Sequence, residues 1–142
     1  ALYSRSLVGP ALRRRRVRRV CILGGGDCGV LREVLSHPVE EVLMVEIDRQ
    51  VVEVASDYFP AVVGGSRGDP RARLVFGDAF EHLREVPPGS FDLVIYDLSD
   101  APLELDSFAD LCALVNRALR REVVSPSNVA MNSPVAAAKP VL

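Results

Sequence analysis

The sequence predicts an α/β fold, a parallel sheet flanked by helices, on three observations. Apolar runs of strand length alternate with segments of helical periodicity between Val20 and Leu119, the connections between them are short, and the first apolar run ends in clustered glycines directly ahead of a helix. Such alternation requires right-handed crossovers and puts ligand sites beyond the carboxyl ends of the strands. A chain of 142 residues, 49% hydrophobic and 25% charged, is enough for one core and too short for two.

In order, Ala1–Leu12 mixes apolar and small residues, and Arg13–Arg16 with Arg18 and Arg19 form a dense basic run. That run reads as an organelle transit sequence, a nucleic-acid patch or a solvated connector. It leads straight into a core strand with no cleavable spacer and has no interleaved aromatics for base stacking, which favours the connector. Val20–Leu23 is the first strand, with a helix over Val30–His37. Glu41–Ile47 is a second strand, Arg49–Phe59 a helix, and Pro60–Pro70 a Gly/Pro loop. Ala72–Phe76 is the third strand, Glu81–Glu85 a short helix broken by Pro87-Pro88-Gly89, and Phe91–Tyr96 the fourth strand. Phe108–Leu119 is a last amphipathic helix. Beyond Arg121, Pro126, Pro134 and Pro140 forbid a long helix, leaving short pieces such as Val129–Asn132 to pair as strands.

Gly24, Gly26 and Gly29 have the G-x-G-x-x-G spacing, in which absent side chains let the backbone turn sharply and approach a ligand. Asp27 inside the loop would repel a pyrophosphate and attract a cation, so the loop favours a positively charged nucleoside over a dinucleotide. Seventeen Lys and Arg against nineteen Asp and Glu give a net charge of -2, which argues against a general nucleic-acid or membrane binder. The three cysteines lack metal-ligand spacing and read as reduced thiols of a cytoplasmic protein; no metal site is expected. No apolar stretch is long enough to cross a bilayer as a helix.

Asp27, Glu46, Asp78 and Asp97 each fall at or just after the carboxyl end of one of the four strands, so the topology gathers them at one crevice. Glu46, about twenty residues beyond the glycines, stands where a carboxylate accepts both ribose hydroxyls of a nucleoside. Asp48 reads as a helix N-cap. Asp78 has two readings, acceptor for an adenine amine or cap of the next helix. Asp97 and Asp100, beside Asp27, make a pocket suited to a polycation, against the plainer reading as caps or turn formers.

Gly24–Pro38 (Gly-Gly-Gly-Asp-Cys-Gly-Val-Leu-Arg-Glu-Val-Leu-Ser-His-Pro), Val-Glu-Ile-Asp at Val45–Asp48, Gly-Asp-Ala-Phe at Gly77–Phe80 and Asp-Leu-Ser-Asp at Asp97–Asp100 resemble, in unbroken order, the polyamine aminopropyltransferase (spermidine synthase) family. Tyr3–Leu12 is similar to the family segment, usually opening Tyr-His-Glu, that precedes the first strand. Cys28 stands where the family usually has glycine, and Ser4 and Arg5 stand where it has His-Glu.

The resemblance implies a Rossmann-like, class I methyltransferase-type parallel sheet with flanking helices, incomplete in lacking the family's N-terminal β domain and in ending on an irregular tail. It divides the chain into an N-terminal substrate-side segment with its Arg-rich connector (1–19), a nucleoside-binding core (20–121) and the tail (122–142). The implied reaction is aminopropyl transfer from decarboxylated S-adenosylmethionine, a co-substrate, to a diamine such as putrescine, with no permanently bound cofactor and with methylthioadenosine released. By motif match, Gly24, Gly25, Gly26 and Gly29 cradle the nucleoside, Asp27 holds the aminopropyl amine, Glu46 the ribose, Asp78 and the Ala79 backbone the adenine; Asp97 is the general base, and Asp100 and Tyr3 position the diamine. A homo-oligomer, dimer or tetramer, is expected, with no nucleic-acid or membrane partner. The rival readings are a methyltransferase or nicotinamide-dependent enzyme on the same fold, and an inactive binding or assembly subunit.

Overall fold

A computed structural model describes residues 2–13, 17–63, 65–98, 105–119 and 129–131. Five parallel strands run in the order β3-β2-β1-β4-β5: β1 Arg19–Gly24, β2 Glu41–Glu46, β3 Ala72–Phe76, β4 Leu93–Asp97 and β5 Val129–Met131. The helices are α1 Leu2–Arg13, α2 Gly29–Leu35, α3 Arg49–Tyr58, α4 Pro60–Val63, α5 Ala79–Glu85 and α6 Leu105–Ala118.

The two-residue period of the strands divides the core between the faces of the sheet. Val20, Ile22, Val42, Met44, Leu93 and Ile95 pack with Val30, Leu31 and Val34 of α2 and Val52 and Ala55 of α3. Cys21, Leu23, Leu43, Val45, Val94 and Tyr96 pack with Leu83 of α5 and Leu111 and Val115 of α6. β1 is buried on both faces from Val20 onward, which is why its sequence is an unbroken apolar run. The observed elements match the alternation expected from the sequence, with shifts of up to three residues at their ends.

One reading changes and two are filled in. The segment before the arginines forms α1, whose Val8 and Leu12 enter the first core and whose face lies on α2; apolar burial sustains it despite Pro10. Pro60–Pro70 is not a plain loop: it holds α4 and a 3-10 turn at Ser66–Gly68, with Val63 and Ser66 buried and the Ser66 hydroxyl donating to the Val63 carbonyl. Proline at the first helical position is pre-set in φ and loses no hydrogen bond there. Within 122–142, the short strand expected over Val129–Asn132 forms at Val129–Met131, pairing Val94 with Val129 and Tyr96 with Met131. In the basic run, Arg18 and Arg19 meet Glu40 and Glu41 at 3.5 and 3.7 Å; Arg14–Arg16 lie outside the described residues.

Two polar anchors set where the strands begin. Asp92 accepts the backbone N–H groups of Arg18 and Arg19 at 3.0 and 2.9 Å, locking the entry of β1 to that of β4. Arg71 donates to the carbonyls of Leu35 and His37 at 2.7 and 3.2 Å, satisfying acceptors left over at the end of α2. Asp69 holds the Arg71 guanidinium at 2.9 Å, and the same hydrogen bonds keep the Asp69 carboxyl below its ordinary range.

Glycine is obligatory where β1 ends. Gly24 has φ +87°, and a Cβ there would lie 2.3 Å from the Asp97 carbonyl oxygen, whereas a Cβ at Gly77 would meet nothing within 4 Å. Gly24→Ala should therefore destabilise the fold by about 2–5 kcal/mol, from backbone strain and overpacking together. Gly77→Ala should stay within about 1 kcal/mol of the parent. Urea unfolding of the three proteins checks this, and coincident midpoints for Gly24→Ala and the parent would contradict it.

Candidate functional site

The loop after β1 is shaped by its own backbone and bound to the neighbouring strand. The Gly25 N–H donates to the Asp97 carbonyl at 3.0 Å, the Cys28 N–H to the Gly25 carbonyl at 2.8 Å, and the Asp27 carboxylate accepts the Gly29 N–H at 2.9 Å. These bonds close a tight turn that delivers the chain into α2. Cys28, at φ +61°, is the one described non-glycine residue in the left-handed region. Glycine would meet this conformational demand without strain, and cysteine meets it at a cost of order 1 kcal/mol. Burial pushes the Cys28 thiol above its ordinary value, with Asp27 and Glu46 adding to the rise and Arg67 opposing it. It is a neutral core side chain, not a thiolate.

The carboxylates gather as the strand order dictates. A Cβ on Gly25 would lie 3.4 Å from Asp97 Oδ2, and one on Gly26 would lie 3.1 Å from Glu46 Oε2. The loop thus runs between the acids that end β2 and β4, within contact distance of both. Glu46 is half-buried, and its Oε1 accepts the Asp48 N–H at 3.1 Å. Asp48 caps α3, its Oδ1 accepting the Gln50 N–H at 2.9 Å. On the far side of β2, the Gly77 N–H donates to the Glu46 carbonyl at 3.0 Å, bringing the end of β3 alongside. Asp78 is exposed and caps α5 through the Glu81 N–H at 3.0 Å, so its capping role is filled; Ala79 is buried at the first turn of that helix.

Asp27, Glu46, Asp78 and Asp97 therefore all lie at one edge of the sheet, in the order of their strands. α1 reaches the same edge, since a Cβ on Gly29 would lie 3.1 Å from Ser4 Oγ. Tyr3 falls on α1 with its side chain outside the described part of the structure, and Asp100 lies outside the described residues. One wall was missed from the sequence. Val51 Cγ1 lies 2.6 Å from where a Gly26 Cβ would be, so this half-exposed valine covers the glycine loop. Its signal was an apolar residue on the first turn of the helix that follows Glu46. Across the site, the Arg49 guanidinium lies 4.2 Å over the Phe76 ring.

A family model for the spermine/spermidine synthase domain matches residues 1–124. The chain is 48% identical over 101 residues to the polyamine aminopropyltransferase of Halorhodospira halophila, covering 70% of this chain and 36% of that protein. It is 44% identical over 100 residues to the polyamine aminopropyltransferase of Korarchaeum cryptofilum, covering 70% of this chain and 31% of that one. Among solved structures, the spermidine synthase of Thermotoga maritima superposes with a TM-score of 0.71 at 32% identity, covering 83% of this chain and 39% of that chain. A spermidine synthase in complex with the transition state analogue AdoDATO does so with a TM-score of 0.71 at 33% identity, covering 83% and 41%. The chain spans about a third of the length of these curated relatives. On the family model over residues 1–124 and the identity to these relatives, the chain belongs to the spermine/spermidine synthase family.

Proposed function

We propose that the protein of which this chain forms the nucleoside-binding sheet transfers an aminopropyl group from decarboxylated S-adenosylmethionine to a diamine such as putrescine. The observation that carries this reading is the glycine loop running between Glu46 and Asp97, with a further carboxylate, Asp27, on the loop itself. A donor without a carboxylate is doubly cationic, through sulfonium and amine, so acids around a loop with no side chains attract it; ordinary S-adenosylmethionine adds a carboxylate that Asp27 repels.

In this reading Gly24, Gly25, Gly26 and Gly29 let the nucleoside approach, Glu46 accepts the ribose hydroxyls, Asp78 with the Ala79 backbone takes the adenine, and Asp27 holds the aminopropyl amine. The neutral diamine nitrogen attacks the aminopropyl carbon bound to sulfur. The carbon–sulfur bond breaks toward sulfur, whose positive charge is discharged as methylthioadenosine leaves. The proton lost by the attacking amine goes to Asp97, while Asp100 and Tyr3 position the diamine.

The same reading places the protein in the cytoplasm as a homo-oligomer. Supporting association, Ile47, Val51, Val54, Tyr58 and Phe59 are exposed along α3 and its flanks, and β3 forms an edge of the sheet. Light scattering on this chain should report a mass above 15.4 kDa, and a monomer at high concentration would count against it.

Methylthioadenosine should bind this chain, and NAD should not. Glu46→Ala should weaken methylthioadenosine binding by about 1–3 kcal/mol, because the ribose hydroxyls lose a charged acceptor. Calorimetry checks both, and unchanged affinity in the variant would remove Glu46 from the ribose site.

Asp97→Asn keeps the side-chain shape and removes the base. Aminopropyl transfer to putrescine, followed with labelled donor, should fall by about 10²–10⁴-fold in kcat with methylthioadenosine affinity nearly intact. Parental turnover in Asp97→Asn would overturn the mechanism, and a parent that accepts no amine would favour an inactive subunit.

A further inference from the structure

Glu46 Oε2 comes within 3.1 Å of where a Gly26 Cβ would be, yet a glutamate side chain has three rotatable bonds and gains nothing from its backbone position alone. We infer that Asp48 is a positioning residue: by capping α3 it fixes its own backbone N–H where that group holds Glu46 Oε1, leaving Oε2 turned to the nucleoside. The inference rests on the nucleoside reading above and extends it to a residue that would touch no ligand.

Three distances carry it. The Asp48 N–H donates to Glu46 Oε1 at 3.1 Å. The Asp48 carboxylate accepts the Gln50 N–H at 2.9 Å, which fixes the turn between β2 and α3 with Asp48 at φ −109° and ψ 102°. Glu46 Oε2 lies 3.1 Å from where a Gly26 Cβ would be, so the second oxygen faces the loop while the first is occupied. One aspartate therefore serves as acceptor through its side chain and as donor through its backbone. Without the cap, the first turn of α3 frays, the amide moves, and the Glu46 rotamer is no longer selected.

The effect differs from a plain loss of helix stability, because it is felt through the ribose hydroxyls alone. Calorimetry with methylthioadenosine and with its 2′,3′-dideoxy analogue separates the two. Asp48→Ala should weaken methylthioadenosine binding about 3- to 10-fold, the equivalent of one lost cap, and leave the dideoxy analogue unaffected. Asp48→Asn, an equally good cap, should restore affinity to within about twofold. In a Glu46→Ala background, Asp48→Ala should add nothing, since the residue it positions is gone. Asp48→Gly, which helix starts tolerate, replaces Asp48→Ala if that variant does not fold. Equal losses on both ligands, failure of asparagine to restore binding, or additivity with Glu46→Ala would overturn the inference. If the parent binds neither nucleoside, the proposed function falls and the decision passes to the ligand-free protein. There the Glu46 Cδ resonance should move in Asp48→Ala and stay in place in Asp48→Asn, and an unmoved resonance in Asp48→Ala overturns the inference.

Discussion

The close approach of Gly24 to the carbonyl of Asp97 governs the working edge of this molecule. β1 and β4 pair in parallel up to that residue, and the next amide, Gly25 N–H, donates to the same carbonyl at 3.0 Å. No side chain fits there, with a Cβ position only 2.3 Å from the oxygen. That contact ends β1, aims the loop across the top of the sheet, and sets the Asp97 side chain beside the loop it supports. Its counterpart at the other end of the same strands is Asp92, which takes the two amides that open β1. The central strand is thus pinned at both ends to one neighbour, and the register between β1 and β4 follows.

Charge is distributed unevenly along the strands. At the starts of β1 and β2, Arg18 and Arg19 meet Glu40 and Glu41 in exposed pairs of small energetic weight. At the carboxyl edge stand Asp27, Glu46, Asp78 and Asp97, with backbone N–H donors on the first three. Amide donors orient a carboxylate without cancelling its charge, so the edge keeps a field that draws cations. Asp27, Glu46 and Asp78 each use one oxygen for a local turn.

The tolerance of the loop to Cys28 shows how strongly the surroundings dictate its path. A non-glycine residue held at φ +61° persists because its side chain is fully buried among core residues, and that burial offsets part of the local strain.

The alternation of apolar strands with amphipathic helices, the glycine turn and the four strand-end acids were all legible in the sequence, because each depends on local periodicity or on the two-residue and 3.6-residue repeats that burial imposes. The N-cap role of Asp48 was legible for the same reason. Tertiary structure alone decided the rest. α1 forms because Val8 and Leu12 find a surface on the first core, which no window of its own sequence, broken by Pro10, discloses. The strand piece expected over Val129–Asn132 finds its partner in β4, a choice the sequence left open, and α4 forms because Val63 has a core to enter. Strand order, too, lies outside local reach. The distances that set Glu46 and Asp97 on either side of one glycine loop follow from β1 lying between β2 and β4, an arrangement created by contacts between residues far apart in the chain.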